Sequence, residues 1–336
     1  MNIDSLYTTI LERLRATYPD RDLLFLVDDA LHLALTPQMT LHAQESNKTL
    51  ETVCAIWDFL FAHHATRKTI LVCIGGGIVT DLGGFAAATY KRGMDYINIP
   101  TTLLAMIDAS TGGKTGFNYK GIKNSIGIIR QPIDTWIEPD FLTSLPSHQL
   151  LSGYAELIKT ALLDSPNTYH QALVALEQIN NSSLPSSLIE HIVTVKQRIV
   201  AQDPQENGLR KALNLGHTIG HALEEYSLAH QPHTPLSHGY AVMYGLVAEL
   251  YLSVTQLGLD REVLRSIAHT MITYYGRPQC ACSDRQELIQ WMYDDKKNEQ
   301  PHTITFTLLH QIGKPAINQI IPEEQIQEAL EYLFTL

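Results

Sequence analysis

The chain has 336 residues, 45% of them hydrophobic, and a formal net charge of −11. That length supports one large domain or two medium ones, and the acidic balance argues against a nucleic-acid binder, which would carry a basic stripe. No apolar run reaches the length of a membrane span, and the acids near the start interrupt any signal-peptide core, so the expected location is the cytoplasm.

Residues 6–17 place Leu6, Ile10, Leu11 and Leu14 at helical spacing. Residues 23–27 form a short apolar run closed by Asp28-Asp29, which predicts a buried strand and a turn. A helix is expected over 49–63, then a second buried strand over 69–74, closed by Gly75-Gly76-Gly77. Residues 78–89 read as a helix and 96–99 as a third strand, closed by Pro100-Thr101-Thr102. Strands alternating with helices imply a mainly parallel sheet. The pattern changes near Leu145-Pro146-Ser147, beyond which nearly everything reads as helix. The clearest helices are expected over 152–163, 184–201, 208–226 and 240–256, with a strand or hairpin arm at 303–309. The predicted organisation is an α/β half, 1–147, and a mainly α-helical half, 148–336.

Gly75-Gly76-Gly77-Ile78-Val79-Thr80-Asp81 follows a strand and opens a helix. Glycines there let backbone N–H groups approach a pyrophosphate, whose charge the helix N-terminus favours. The run is not GxGxxG, and a tight strand-to-helix turn is the plain alternative. Gly112-Gly113-Lys114-Thr115 looks like the tail of a P-loop, but Asp108 stands where that motif needs glycine. A flexible Gly-Gly presenting Lys114 to a substrate fits better. With Arg92, Lys123, Asn124, Lys196 and Arg210 it could neutralise a phosphate and a carboxylate in an acidic protein.

The strongest signal lies further on. His217 and His221 are four apart, so they share a helix face, and a helix over 208–226 would add Arg210 and Asn214 to it. A third histidine, His238, follows a loop at 230–237, and upstream Glu156 and Lys159 are three apart. Two or three histidines and a carboxylate suit a catalytic Zn²⁺ with one position left open. Spacing alone leaves open whether both His217 and His221 bind metal. Cys54, Cys73, Cys280 and Cys282 show no CxxC and read as reduced thiols.

Taken together, these blocks resemble a 3-dehydroquinate synthase of the sugar phosphate cyclase family. The likeness runs from Leu71 to Leu246, through Gly75 to Phe85, Arg92-Gly93, Pro100 to Leu104, Asp108 to Thr115, Lys123-Asn124, Ala155 to Lys159, Gly208 to Arg210, Leu213 to His221 and His238-Gly239. It implies an N-terminal Rossmann-like nucleotide-binding α/β domain and a mainly α-helical C-terminal domain for metal and substrate. It implies Zn²⁺ (or Co²⁺) on Glu156, His217 and His238, with His221 transferring protons instead of binding metal. The catalytic group it implies is His221 with Lys159, Glu206 and Asp108. NAD would lie on Gly75, Gly76, Gly77, Ile78, Val79, Thr80, Asp81, Thr101, Thr102, Lys114, Lys123, Phe141, Leu142, Thr143 and Ser144, with Asp28, Glu45 and Lys48 on the adenosine side. Substrate would meet Arg92, Asp108, Lys114, Asn124, Lys159, Lys196, Arg210, Asn214 and one lysine of Lys296-Lys297, Lys296 being favoured.

The implied substrate is a sugar-acid phosphate, 3-deoxy-D-arabino-heptulosonate 7-phosphate, and the implied assembly a homodimer that binds neither nucleic acid nor membrane. The implied reaction is transient oxidation by NAD, loss of phosphate, reduction and an intramolecular aldol step to 3-dehydroquinate. Rival readings are a cyclase acting on sedoheptulose 7-phosphate, a metal- and NAD-dependent polyol dehydrogenase and an inactive metal-stabilised scaffold. One departure stands out: Tyr240 follows His238-Gly239 where the family commonly has an acid, so a carboxylate contact to the metal ligands from position 240 is expected to be missing.

Overall fold

A computed structural model describes residues 3–179, 184–293 and 303–336. The chain divides into two compact units, Met1–Leu150 with Ser183–Lys196, and Leu151–Ser182 with Gln197–Leu336.

The first unit opens with α1 (Ile3–Thr17), followed by β1 (Leu23–Asp28), β2 (Gln38–Leu41) and α2 (Leu50–Ala62). Then come β3 (Ile70–Gly75), α3 (Gly77–Thr89), β4 (Asp95–Pro100), an antiparallel hairpin of β5 (Lys114–Tyr119) and β6 (Ile122–Ile129), and β7 (Asp134–Thr135). Five strands form a parallel sheet in the order β2-β1-β3-β4-β7. Every residue of β3 is buried, which is why its sequence is a continuous apolar run instead of an alternating one. Leu26, Leu71, Cys73 and Tyr96 from the strands pack with Val53, Ile56 and Leu60 of α2 and Val79 and Leu82 of α3. A Cβ on Gly83 would stand 2.3 Å from Cys73 Sγ, so glycine is what lets α3 lie so close to the sheet. The predicted strands and helices of this half are present to within a residue or a few at their ends. The strand β2, the β5–β6 hairpin and β7 are additions that periodicity did not reveal.

The second unit is helical. Helix α4 (Ser147–Asp164) leads into it, followed by α5 (Pro166–Glu177), which Ser165 caps by accepting from Thr168 N. Helix α6 (Ser186–Gln202) bridges the two units in sequence. Beyond it are α7 (His217–His230), α8 (His238–Leu257), α9 (Arg261–Thr270) and α10 (Arg285–Tyr293). The hairpin of β8 (Thr305–Gln311) and β9 (Lys314–Ile320) precedes α11 (Glu323–Thr335). The strand expected at 303–309 is β8, paired with a partner the sequence left unassigned. The helix expected over 208–226 is broken. Residues Leu209–Asn214 form a short 3-10 turn, and Gly216, at φ 79, redirects the chain before α7 starts at His217. Arg210 and Asn214 therefore do not share a helix face with His217 and His221. The left-handed glycine, which periodicity cannot see, is the reason.

Candidate active site

In the first unit, the sheet order reverses direction between β1 and β3, the place where open α/β sheets bind nucleotides at their strand C-termini. Asp28 ends β1 and Gly75 ends β3, and a Cβ on Gly75 would lie 3.1 Å from that of Asp28. Gly76 caps α3 without a side chain, and no acid occupies the first turn. Thr101 N donates to Gly75 O at 3.0 Å, and a Cβ on Gly76 would come within 3.2 Å of Thr102. Asp28, Gly75 to Gly77 and Thr101-Thr102 are thus gathered at one edge, around a helix N-terminus suited to a pyrophosphate.

Beside it, the buried Lys48 donates to Asp81 Oδ2 and to Asn124 Oδ1, each at 2.5 Å. Burial pushes the Asp81 carboxyl up, and the Lys48 ammonium only partly offsets it. Glu45 accepts from Asn118 Nδ2 at 2.7 Å, joining the turn before Lys48 to the hairpin that carries Lys114, Lys123 and Asn124. Ile78, Val79 and Thr80 lie in the first turn of α3. Phe141, Leu142, Thr143 and Ser144 lie on the short helix Pro139–Ser144, where Phe141 is buried against Tyr7. Arg92 closes the turn Tyr90–Arg92 with φ 66. Asp108 accepts from Lys196 Nζ at 2.5 Å. Lys296 and Lys297 lie outside the described residues.

In the second unit, three helices supply a convergent ligand set. Helix α4 contributes Glu156, fully buried, in a run buried from Ser152 to Leu163. Helix α7 contributes His217 and α8 contributes His238, the first residue of each. His217 Nε2 is 3.3 Å and His238 Nε2 is 3.1 Å from the same oxygen, Glu156 Oε1. The other ring nitrogens are occupied: His217 Nδ1 by the Leu215 carbonyl at 3.0 Å, His238 Nδ1 by Glu224 Oε2 at 2.9 Å. Those acceptors place a proton on Nδ1 and leave Nε2 facing Glu156, where it offers a lone pair once any proton it carries is displaced. Two imidazole Nε2 atoms and a carboxylate oxygen converge here, so this donor set fits a divalent metal in place of the protons between them. His221, one turn along α7, has its ring centroid 5.3 Å from that of His217 and 6.2 Å from that of His238.

The electrostatics agree. Burial alone would raise the Glu156 carboxyl, but Lys159 Nζ, 2.5 Å from Oε2, and the two histidines hold it well below the ordinary range. The Glu156–Lys159 spacing is therefore a buried ion pair and not a solvated helix-surface contact. Burial would lower the His238 pKa, yet Glu224 and Glu156 push it up to about 10 in the metal-free site. Glu224 is the carboxylate behind His238. The contact expected to be missing at Tyr240 is replaced from α7, and Tyr240 instead packs edge-on against Tyr275, with centroids 5.0 Å apart. Helical spacing could have found Glu224, three residues beyond His221 on the same face.

Between α6 and α7, Asp203 accepts from the backbone of Asn207, Gly208 and Arg210 at 2.7–3.0 Å. This folds the loop so that Asn214 Nδ2 meets Glu206 Oε1 at 3.1 Å and the buried Arg210 donates to the Pro204 carbonyl. Glu206 takes φ 60 there.

The profiles of the 3-dehydroquinate synthase N-terminal and C-terminal regions match residues 38–152 and 153–298. The 3-dehydroquinate synthase of Parabacteroides distasonis is 43% identical over 307 residues, covering 91% of this chain and 86% of the relative. This chain belongs to the 3-dehydroquinate synthase family. Among solved structures, the 2-epi-5-epi-valiolone synthase of Streptomyces hygroscopicus, with NAD+ and Zn²⁺ bound, superposes with a TM-score of 0.80 at 26% identity over 93% of this chain and 90% of that one. A 2-deoxy-scyllo-inosose synthase complexed with carbaglucose-6-phosphate, NAD+ and Co²⁺ gives 0.82 at 24% identity over 96% and 94%, a likeness of fold. Among the described residues of this family member, no helix is long and apolar enough to cross a membrane.

Proposed function

We propose that this chain is a cytoplasmic 3-dehydroquinate synthase that converts 3-deoxy-D-arabino-heptulosonate 7-phosphate to 3-dehydroquinate and phosphate. The reading rests on one observation above the rest: two imidazole Nε2 atoms directed at the buried Glu156 carboxylate, in a chain 43% identical to a synthase of that name. Glu156, His217 and His238 would hold Zn²⁺ or Co²⁺, and Asp28, Glu45, Lys48, Gly75 to Asp81, Thr101, Thr102, Lys114, Lys123 and Phe141 to Ser144 would hold NAD. When bound, the metal supplies Lewis acidity to a substrate hydroxyl and NAD a reversible hydride acceptor.

The chain's own residues do the rest. Lys159 fixes the Glu156 carboxylate and keeps it ionised, while Glu224 fixes the Nδ1–H tautomer of His238. His221, or the substrate phosphate itself, would take the proton from the carbon beside the oxidised position as phosphate leaves. Arg92, Lys114, Lys196 and Arg210 bind the phosphate and carboxylate charges, and Asn124 and Asn214 donate to hydroxyls. Asp108 and Glu206 orient these cations and amides, as their contacts to Lys196 and Asn214 suggest. One lysine of Lys296-Lys297, Lys296 being favoured, would complete the set.

The deciding assay is phosphate release from the heptulosonate phosphate with catalytic NAD⁺ and Zn²⁺, while NADH absorbance is followed. Phosphate without net NADH, and dehydroquinate as product, is the expected outcome. Activity on sedoheptulose 7-phosphate instead would shift the reading to that cyclase class, and lasting NADH to a polyol dehydrogenase. The homodimer is supported by the β5–β6 hairpin, which exposes Tyr119, Ile122, Ile126, Ile128 and Ile129. Light scattering should give twice the chain mass, and Ile126→Asp with Ile128→Asp should give monomer.

A further inference from the structure

Helix α7 carries His217 as its first residue, and its N-cap is Gly216, which offers no side chain. The open N–H groups are taken from another helix. Glu249, in the middle of α8 and fully buried, accepts from Gly216 N at 2.6 Å, Thr218 N at 2.9 Å and Ile219 N at 3.2 Å. Glycine makes this reach possible. A Cβ on Gly245, one turn earlier on α8, would stand 2.0 Å from Gly216 O and 2.8 Å from Gly220 N, so the two helices meet backbone to backbone. The same helix α8 presents His238 at its start.

A carboxylate in the interior is costly, and here both its oxygens are used, Oε2 accepting from Gly216 N and Oε1 from Thr218 N and Ile219 N. Its charge answers a specific conflict. The N-terminus of a helix is its positive pole, and a divalent cation on His217 would sit against that pole. We propose that Glu249 is a positioning residue for the metal centre. It clamps the first turn of α7 to α8, fixing His217 relative to His238, and its negative charge cancels the pole that would otherwise repel the cation. This rests on the reading of Glu156, His217 and His238 as the ligand set.

The test is Zn²⁺ affinity, measured by competition with a chromogenic chelator, for the native chain, Glu249→Gln and Glu156→Gln. Glutamine keeps the size and one acceptor but loses the charge. Glu249→Gln is expected to bind Zn²⁺ about 10–100-fold more weakly, with native far-UV circular dichroism and a smaller zinc-induced rise in Tm. A cap of purely structural value would lower Tm equally with and without zinc and leave affinity within about threefold of native. That result overturns the proposal, provided Glu156→Gln has lost affinity. If Glu156→Gln also binds natively, the ligand set itself is wrong. Should Glu249→Gln fail to fold, Glu249→Asp decides: it keeps the charge but withdraws it by one methylene. The expected loss is then at least about fivefold, and native affinity in that folded variant overturns the proposal.

Discussion

Substituting Glu156 by alanine removes the oxygen at which both His217 Nε2 and His238 Nε2 aim, and takes the carboxylate from beside the buried Lys159 ammonium. Glu156→Ala should lose phosphate release and zinc binding together, and retention of full turnover would sink the metal assignment. His238 adds a pH dependence. Its pKa rises from an ordinary 6.5 to about 10 in the metal-free site, where Glu224 and Glu156 outweigh burial. The extra stability this gives the metal-free fold is fully present below pH 6.5 and is lost as pH rises through about 10. Metal must displace that proton, so zinc affinity should climb about tenfold per pH unit across pH 7–9. Glu224→Gln, by weakening the hold on the proton, should flatten that slope in a chelator-competition titration. His217 and His221 were legible as candidates because two histidines at helical spacing have few structural uses, while Glu156 and His238 joined them as metal ligands through the resemblance. Glu249 was not, because an acid inside an apolar helix gives no hint of which helix end it serves.

At the scale of elements, the site depends on where α7 begins and how near α8 comes. Gly216 at φ 79 ends the preceding turn and sets His217 at the helix start. Gly245→Ala would drive a methyl into the Gly216 carbonyl, with no flexible side chain able to move aside. The expected cost is about 1–3 kcal/mol in a denaturant melt, with metal affinity falling as His217 and His238 are pushed apart. A conservative change on an exposed face of α9, such as Arg261→Lys, should leave both unchanged. The sheet strands were readable because burial on both faces leaves unbroken apolar runs. The β5–β6 hairpin was not readable, since β6 is mostly exposed and lacks an alternating pattern.

At the scale of the whole molecule, each unit buries its own apolar residues, which far outnumber the three proposed metal ligands Glu156, His217 and His238. Chelation should therefore abolish phosphate release while leaving far-UV circular dichroism unchanged, and added Zn²⁺ should restore it. Collapse of the fold on chelation would instead mark the metal as structural. With a net charge of −11, an anionic substrate is attracted only by local cations. Its KM should thus rise with ionic strength more steeply than kcat changes.

Composition and pattern by themselves determined the α/β half, the helical half, the glycine turn at Gly75 to Gly77 and the histidine pair His217 and His221 as candidates for a site. These follow from local rules: burial period, turn chemistry and the scarcity of reasons for histidine at helical spacing. Only the tertiary structure decided that Arg210 and Asn214 leave the helix face, that Lys159 is a buried partner of Glu156, that Glu224 stands behind His238 in place of an acid at 240, and that Glu249 closes the end of α7. Each depends on a contact between segments far apart in the chain, set by a left-handed glycine or by backbones that meet where a Cβ is missing. Such contacts leave no period in the sequence.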